Sequence, residues 1–180
     1  MPDLGPTLET ERLILRPPVQ ADLDRWAAFL GDAEATRHIG GVQPRETAWR
    51  SMAAMTGAWS LLGFSMFSVV EKASGAWIGR LGPWRPEGWP GTEVGWGLHP
   101  DAQGKGYAVE GARAAIDWAF DHLGWTEVIH TIAPENTASV RVAERLGSTL
   151  LRRTQLPEPF VMDVDVWGQS REEWRARRSA

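Results

Sequence analysis

The 180-residue sequence contains no cysteine. That absence excludes disulfides, thiol nucleophiles and thiolate metal sites, and it fits a reducing compartment, so a cytoplasmic protein is expected. No apolar run approaches the roughly 20 residues of a membrane span, so no membrane partner is expected. Positive charge is also in short supply. Nineteen Lys and Arg stand against 23 Asp and Glu, a net charge of −4. With no long basic block either, a nucleic-acid partner is not expected. The Met1–Thr10 stretch carries Asp3, Glu9 and two prolines and does not read as a secretory leader. The four histidines, His38, His99, His122 and His130, lack ligand-like spacing. They are read as structural, and no metal site is expected.

What remains is enough for one domain over 1–180, with a core that needs no covalent staples. Eleven tryptophans accompany a single tyrosine and are read as core or groove-lining. Leu8–Arg16 alternates as a strand and stops at Pro17-Pro18. Leu23, Trp26, Ala27 and Leu30 fall at helical spacing. Pro44 suits the first turn of a second helix that carries Trp49, Met52, Ala53 and Thr56 on one face. Strands are expected at 64–71 and 76–81 around a turn at 72–75, then an irregular loop at 82–91 and a strand at 92–98. The apolar stripe Ala108, Ala112, Ala115, Ile116, Ala119 and Phe120 predicts a helix over 107–122, stopped by Gly124. A strand at 127–132 and a helix capped by Asn136 and ended by Gly147 follow. Two further strands, 149–156 and 160–167, flank a proline turn. The Arg-rich tail after Arg171 reads as a solvated helix or a frayed end. The class is mixed α/β around one sheet.

The most telling segment is Leu98-His99-Pro100-Asp101-Ala102-Gln103-Gly104-Lys105-Gly106-Tyr107-Ala108, a glycine-flanked turn between a strand and an amphipathic helix. Such a turn aims several backbone N–H groups, and the positive end of the helix dipole, at one point. It therefore suits a phosphate or pyrophosphate. The spacing fits neither the Walker pattern nor Gly-x-Gly-x-x-Gly, because Val109 stands three residues after Gly106. The feeding strand is lopsided: Val94, Trp96 and Leu98 share one face, and Glu93, Gly95 and Gly97 the other. Glycines on one strand face imply close approach by a packed helix, a bulge, or a ligand lying along the strand.

Gln103, Gly106 and Ala108 match Gln/Arg-x-x-Gly-x-Gly/Ala, and the segment resembles motif A of the GNAT superfamily of acyl-CoA-dependent N-acyltransferases. The later Ala133-Pro134-Glu135-Asn136-Thr137-Ala138-Ser139 and the opening Leu8–Arg16 are similar to the branch containing ribosomal-protein alanine acetyltransferases. The resemblance implies a twisted, mostly antiparallel sheet flanked by helices, with a V-shaped opening between two central strands. It implies acetyl-CoA as cosubstrate, held by the amides around Gln103, Gly104, Lys105, Gly106, Tyr107 and Ala108. The backbone of Trp96, Gly97 and Leu98 would bind the pantetheine arm as an added strand would. Asn136 would meet that arm from the other side, or serve as a plain helix cap, or both.

Acyl transfer to an amine needs a base for the amine, stabilisation of the oxyanion and a proton for the thiolate. Glu93, on the glycine face, is the leading base, against a reading as a surface glutamate. Ser139, one turn from Asn136, resembles the branch's serine near the thiol and is set against an ordinary first-turn serine. Many family members use a tyrosine near the chain end, and Tyr107 cannot fill that role from inside the phosphate loop. Trp84 and Trp89 could wall the acceptor groove or pack under their loop. Asp163 and Asp165 could attract a cationic acceptor or lie on a solvated face. The acceptor amine is the expected partner, and the resemblance favours a protein N-terminal α-amine. A small-molecule amine and a non-catalytic acyl-CoA-binding module are the alternatives, and a homodimer is admitted.

Overall fold

A computed structural model describes residues 4–178. Its centre is an eight-stranded sheet in the order β1-β2-β3-β4-β5-β6-β8-β7. The strands are β1 (Leu8–Glu9), β2 (Leu13–Arg16), β3 (Phe67–Glu71), β4 (Trp77–Trp84), β5 (Glu93–Leu98), β6 (Glu127–Ile132), β7 (Thr149–Gln155) and β8 (Asp163–Ser170). Every adjacent pair is antiparallel except β5 and β6, which run parallel and share one register pair, Glu93 opposite Ile129. The helices are α1 (Leu23–Gly31), α2 (Ala33–Thr36), α3 (Arg45–Leu62), α4 (Tyr107–His122), α5 (Thr137–Leu146) and α6 (Arg171–Arg178). Among the described residues, no helix is long and apolar enough to cross a membrane.

Two apolar layers cover the two faces of the sheet. On one face, the small residues Ala112, Ala115 and Ala119 let α4 sit close over Leu13, Leu81, Val94 and Val128. Gly111 is part of that fit: a Cβ there would lie 2.6 Å from Leu81. On the other face, Trp26, Phe29, Met52 and Met55 of α1 and α3 pack with Met66 and Trp77. The sheet thus presents a helix-α4 side and a helix-α1/α3 side, and the site uses both.

Several element ends differ from the sequence expectation. The first strand is a tight hairpin rather than one run, because Thr10 closes it through Thr10 N to Leu13 O and Leu13 N to Thr10 Oγ1, both at 3.0 Å. Pro44 is the cap before α3 rather than its first residue. β3 begins at Phe67, and β4 continues through Gly82 and Pro83 to Trp84, shortening the expected loop. Proline is tolerated there because β3 ends opposite Leu81, so the missing N–H faces no partner strand. β8 lies three residues later than expected, over 163–170, where it is paired on both sides by β6 and β7. The tail is neither frayed nor fully solvated. Trp174 of α6 is buried, and its indole donates to Asp117 of α4 at 2.8 Å. Of the segments read from sequence, residues 1–3 and 179–180 lie outside the described residues.

Candidate active site

The turn between β5 and α4 has the backbone that its sequence demands. Gly104 and Gly106 adopt φ of +74° and +82°, a region that side-chain-bearing residues avoid. Gly106 is the N-cap of α4, and the first helical bond runs from Glu110 N to Gly106 O at 3.1 Å. The amides ahead of Glu110, from Gly104 through Ala108, therefore have no helical acceptor and lie at the positive end of the dipole. Gln103, Gly104, Lys105 and Gly106 are exposed. Gln103 donates its carboxamide to Leu98 O at 3.1 Å and so fastens the turn to the end of β5. Arg12 secures the turn from the other side, donating to Lys105 O at 3.0 Å and pairing with Glu110 at 2.6 Å. Tyr107 turns its phenol away, to donate to Glu71, while Arg12 stacks on its ring at 4.5 Å.

Between β5 and β6 the sheet opens. Ile129 N donates to Thr92 O at 2.9 Å, and beyond that point side chains take over from the ladder. His130 Nδ1 lies 2.7 Å from Val94 O, and since a carbonyl only accepts, this nitrogen carries the proton. Its Nε2 then accepts from the Ser148 hydroxyl at 3.0 Å, whose oxygen accepts from the Gln169 amide at 2.9 Å. Burial pushes His130 down to about 4, so the ring is neutral at ordinary pH. The Thr92, Val94 and Leu98 carbonyls are thus taken by Ile129, His130 and Gln103, respectively. By strand alternation the peptide groups of Trp96 face the same gap and form its open edge, while those of Gly97 face β4. Among Trp96, Gly97 and Leu98, Trp96 alone thus keeps both of its peptide groups open toward the gap.

Glu93 sits where the two strands part, on the α1/α3 side. It is only 5% exposed. One oxygen accepts from Thr131 N and Thr131 Oγ1, both at 3.1 Å; the other accepts from Thr131 Oγ1 at 3.0 Å and from the Trp89 indole. A carboxylate has about four acceptor positions, so three donor groups leave room for an arriving proton. Burial pushes Glu93 up to about 7, although these hydrogen bonds and the charge of Arg80 pull the other way. A base with that affinity is matched to neutral pH. Glu93 is therefore not the solvated surface glutamate weighed against the base reading. The neighbouring glycines serve packing: a Cβ on Gly95 would lie 2.9 Å from Met66, and one on Gly97 2.9 Å from Phe29.

Across the gap, Asn136 caps α5 by accepting from Ser139 N at 3.1 Å, which leaves its carboxamide NH2 free to donate. Ser139 Oγ accepts from the Trp96 indole at 3.2 Å, so its own O–H is available to an acceptor in the gap. Trp96 also packs on the His130 ring at 4.8 Å, joining β5, β6 and α5 around the opening.

Some expected residues stand apart. Asp165 is paired with Arg153 at 2.8 Å, and Asp163 is exposed, 3.4 Å from the Gln155 amide. Trp84 and Trp89, by contrast, stay with the site: Trp84 pairs in register with Glu93 and makes edge contact with Trp89, whose indole donates to Glu93 and whose ring meets Phe160. Thr131, Arg12, Arg80 and the wedging role of His130 were not legible in the sequence. Each acts through a partner from a distant segment, and no local pattern marks it. Next to Gly106, a cavity of about 520 Å³ runs along α4 past Val109 and Arg113 to Arg145, adjoining the pyrophosphate-type turn. No group of three or more potential metal ligands occurs among the described residues.

The sequence pattern of the acetyltransferase (GNAT) domain family matches residues 12–149. The N-acetyltransferase p20 of Bacillus licheniformis is 29% identical over 174 residues, covering 93% of this chain and 98% of that protein. An acetyltransferase crystal structure from Agrobacterium tumefaciens superposes with a TM-score of 0.81 at 32% identity, covering 91% of this chain and 94% of its own. A ribosomal-protein-serine acetyltransferase structure from Vibrio cholerae shares the fold, with a TM-score of 0.75 at 18% identity over 91% of this chain and 97% of its own.

Proposed function

The chain belongs to the GNAT acetyltransferase family, and on that premise we propose that it moves an acetyl group from acetyl-CoA directly onto a primary amine, with Glu93 receiving the amine's proton. The observation that carries this reading is the parted seam of the sheet. It has a carboxylate of raised proton affinity on one side and a hydroxyl with a free proton on the other. The chain's residues fit the cosubstrate. The left-handed glycines and uncapped amides of the turn suit a diphosphate, and the open peptide edge of Trp96 suits an extended amide arm. When bound, acetyl-CoA supplies the activated acyl group. Asn136 would direct its free NH2 to the arm. Ser139 would give its proton to the departing sulfur as the C–N bond forms and the C–S bond breaks, and recover one from solvent. Holding amine and thioester together accounts for much of the remaining acceleration.

The resemblance to the ribosomal-protein branch favours a protein N-terminal α-amine as acceptor. A small-molecule amine is the second reading, and the surroundings of Arg80 on the acceptor side favour it. The test is release of free CoA from acetyl-CoA across an amine and peptide panel. Glu93→Gln should lower kcat by about 100-fold or more, and Ser139→Ala by a smaller factor, with CoA affinity kept in both. Tight CoA binding with no release on any amine would instead make the chain a binding module. Full activity in both variants would remove the assigned proton carriers.

A further inference from the structure

Arg80 is the anomaly of the acceptor side. It lies on β4 opposite Gly97, on the face that carries Trp84 and, across on β5, Glu93 and Gly95. The residue is half-buried, yet its Nε is sealed from solvent without a hydrogen-bond partner. Its Nη1 meets only thioether sulfurs, Met66 Sδ at 2.8 Å and Met55 Sδ at 4.0 Å. No carboxylate of the described residues lies within ion-pairing distance. Sulfur is a weak acceptor, and a guanidinium presents five donors in a fixed fork. Burial pulls its pKa down to about 10, although the charge of Glu93 pulls the other way. Arg16 makes the contrast within the same molecule. It is also half-buried, but it forks onto Asp22 through bonds of 2.8 and 2.7 Å, and Asp22 accepts from Ser68 as well.

A half-buried fork that feels Glu93 only at a distance and has no anion in contact is a poor structural element and a good ligand site. The ground between it and Glu93 is floored by Gly95 and Gly97 and filled by Met66 and Phe29. Met66 belongs to the segment just before β3, and its unbranched, flexible side chain is the part of this filling that a ligand would displace. We infer that Arg80 binds the carboxylate of the acceptor, so that the substrate is a small amine bearing a carboxylate, of the α-amino-acid type. This assignment rests on the acetyl-transfer reading and narrows its acceptor. The carboxylate docks on the guanidinium, and the amine is turned toward Glu93, which takes its proton.

The test uses leucine, phenylalanine and tryptophan, each beside its carboxamide and beside a peptide that begins with the same residue. The full-length protein should favour the free acids by about 10-fold or more in kcat/KM. Arg80→Gln should lose about 100-fold more on the acids than on the amides, chiefly in KM, because any loss through the raised proton affinity of Glu93 falls on both alike, and Arg80→Lys should recover part of the difference. Calorimetry on the CoA-saturated protein, comparing leucine with leucinamide, reads the carboxylate without turnover. Amides or peptides bound and acetylated as well as the acids would overturn the assignment and leave acetyl transfer standing. Preferential binding of acids with no CoA release would overturn acetyl transfer, and with it the acceptor role, and leave only a carboxylate site at Arg80. Should Arg80→Gln fail to fold by its thermal melt, the acid-to-amide ratio of the unaltered protein decides alone.

Discussion

Glu93 does two jobs with one carboxylate. It accepts from Thr131 and Trp89 across the parting of β5 and β6, and its burial raises its proton affinity to about 7. The pH dependence follows from the sign of that shift. Below pH 7 the carboxyl holds its proton and cannot take one, so kcat/KM should rise as pH passes through about 7. The acceptor amine, itself protonated at neutral pH, adds its own rise above that. Glu93→Gln should erase the lower limb and keep the upper one, and a pH–rate profile of both proteins checks it. His130 is shifted the opposite way, down to about 4. It contributes stability that is complete above its unfolded pKa and lost as pH falls from about 6.5 toward 4. An acid melt monitored by circular dichroism should therefore steepen across that window, and less so in His130→Gln. The period-two pattern was enough to put Glu93 on the glycine face. Its bond to Thr131 and the lack of an ion pair at Arg80 depend on contacts between segments far apart in the chain, and its bond to Trp89, only four residues away, depends on the path of an irregular loop. No local spacing encodes them.

At the scale of elements, the helices were more legible than the strand ends. The spacing of Ala112, Ala115, Ile116 and Ala119 fixes α4 from its own residues, and Asn136 with Gly147 brackets α5. The ends of β4 and β8 are decided by neighbours: Trp84 is strand because Glu93 pairs with it, and 163–170 is strand because β6 and β7 flank it. Propensity alone stops β4 at Gly82 and Pro83. The turn between β5 and α4 was read correctly as glycine-dependent, and it carries its own prediction. Gly106 has φ of +82°, where a branched side chain is penalised by about 1–2 kcal/mol even though a Cβ would meet only Arg12 at 3.5 Å. Gly106→Val should reshape the amide cradle and weaken CoA binding by about 10-fold or more, with a smaller loss of thermal stability. Calorimetric titration of CoA into the variant checks it.

For the whole molecule, the sheet divides the labour between its faces. The α4 and α5 side offers the amide turn, Asn136 and Ser139. The α1 and α3 side offers Arg80, Met66 and Glu93. A ligand that bridges turn and seam ties together elements from both halves of the chain, and ligand binding to the native state alone raises its stability. CoA at 100 times its dissociation constant should add about 2.7 kcal/mol and raise Tm by about 5–10 °C, with ATP and NAD giving little. Differential scanning fluorimetry compares the three directly. The opening itself was implied by family resemblance, but what holds it was not. Two side chains, His130 from one face and Glu93 from the other, rivet the margins that main-chain bonds leave unjoined. Rivets of this kind can be undone singly. The aperture can thus be widened or narrowed by altering one residue while both flanking panels of the sheet keep their own pairing, which makes gauge an adjustable property of this scaffold.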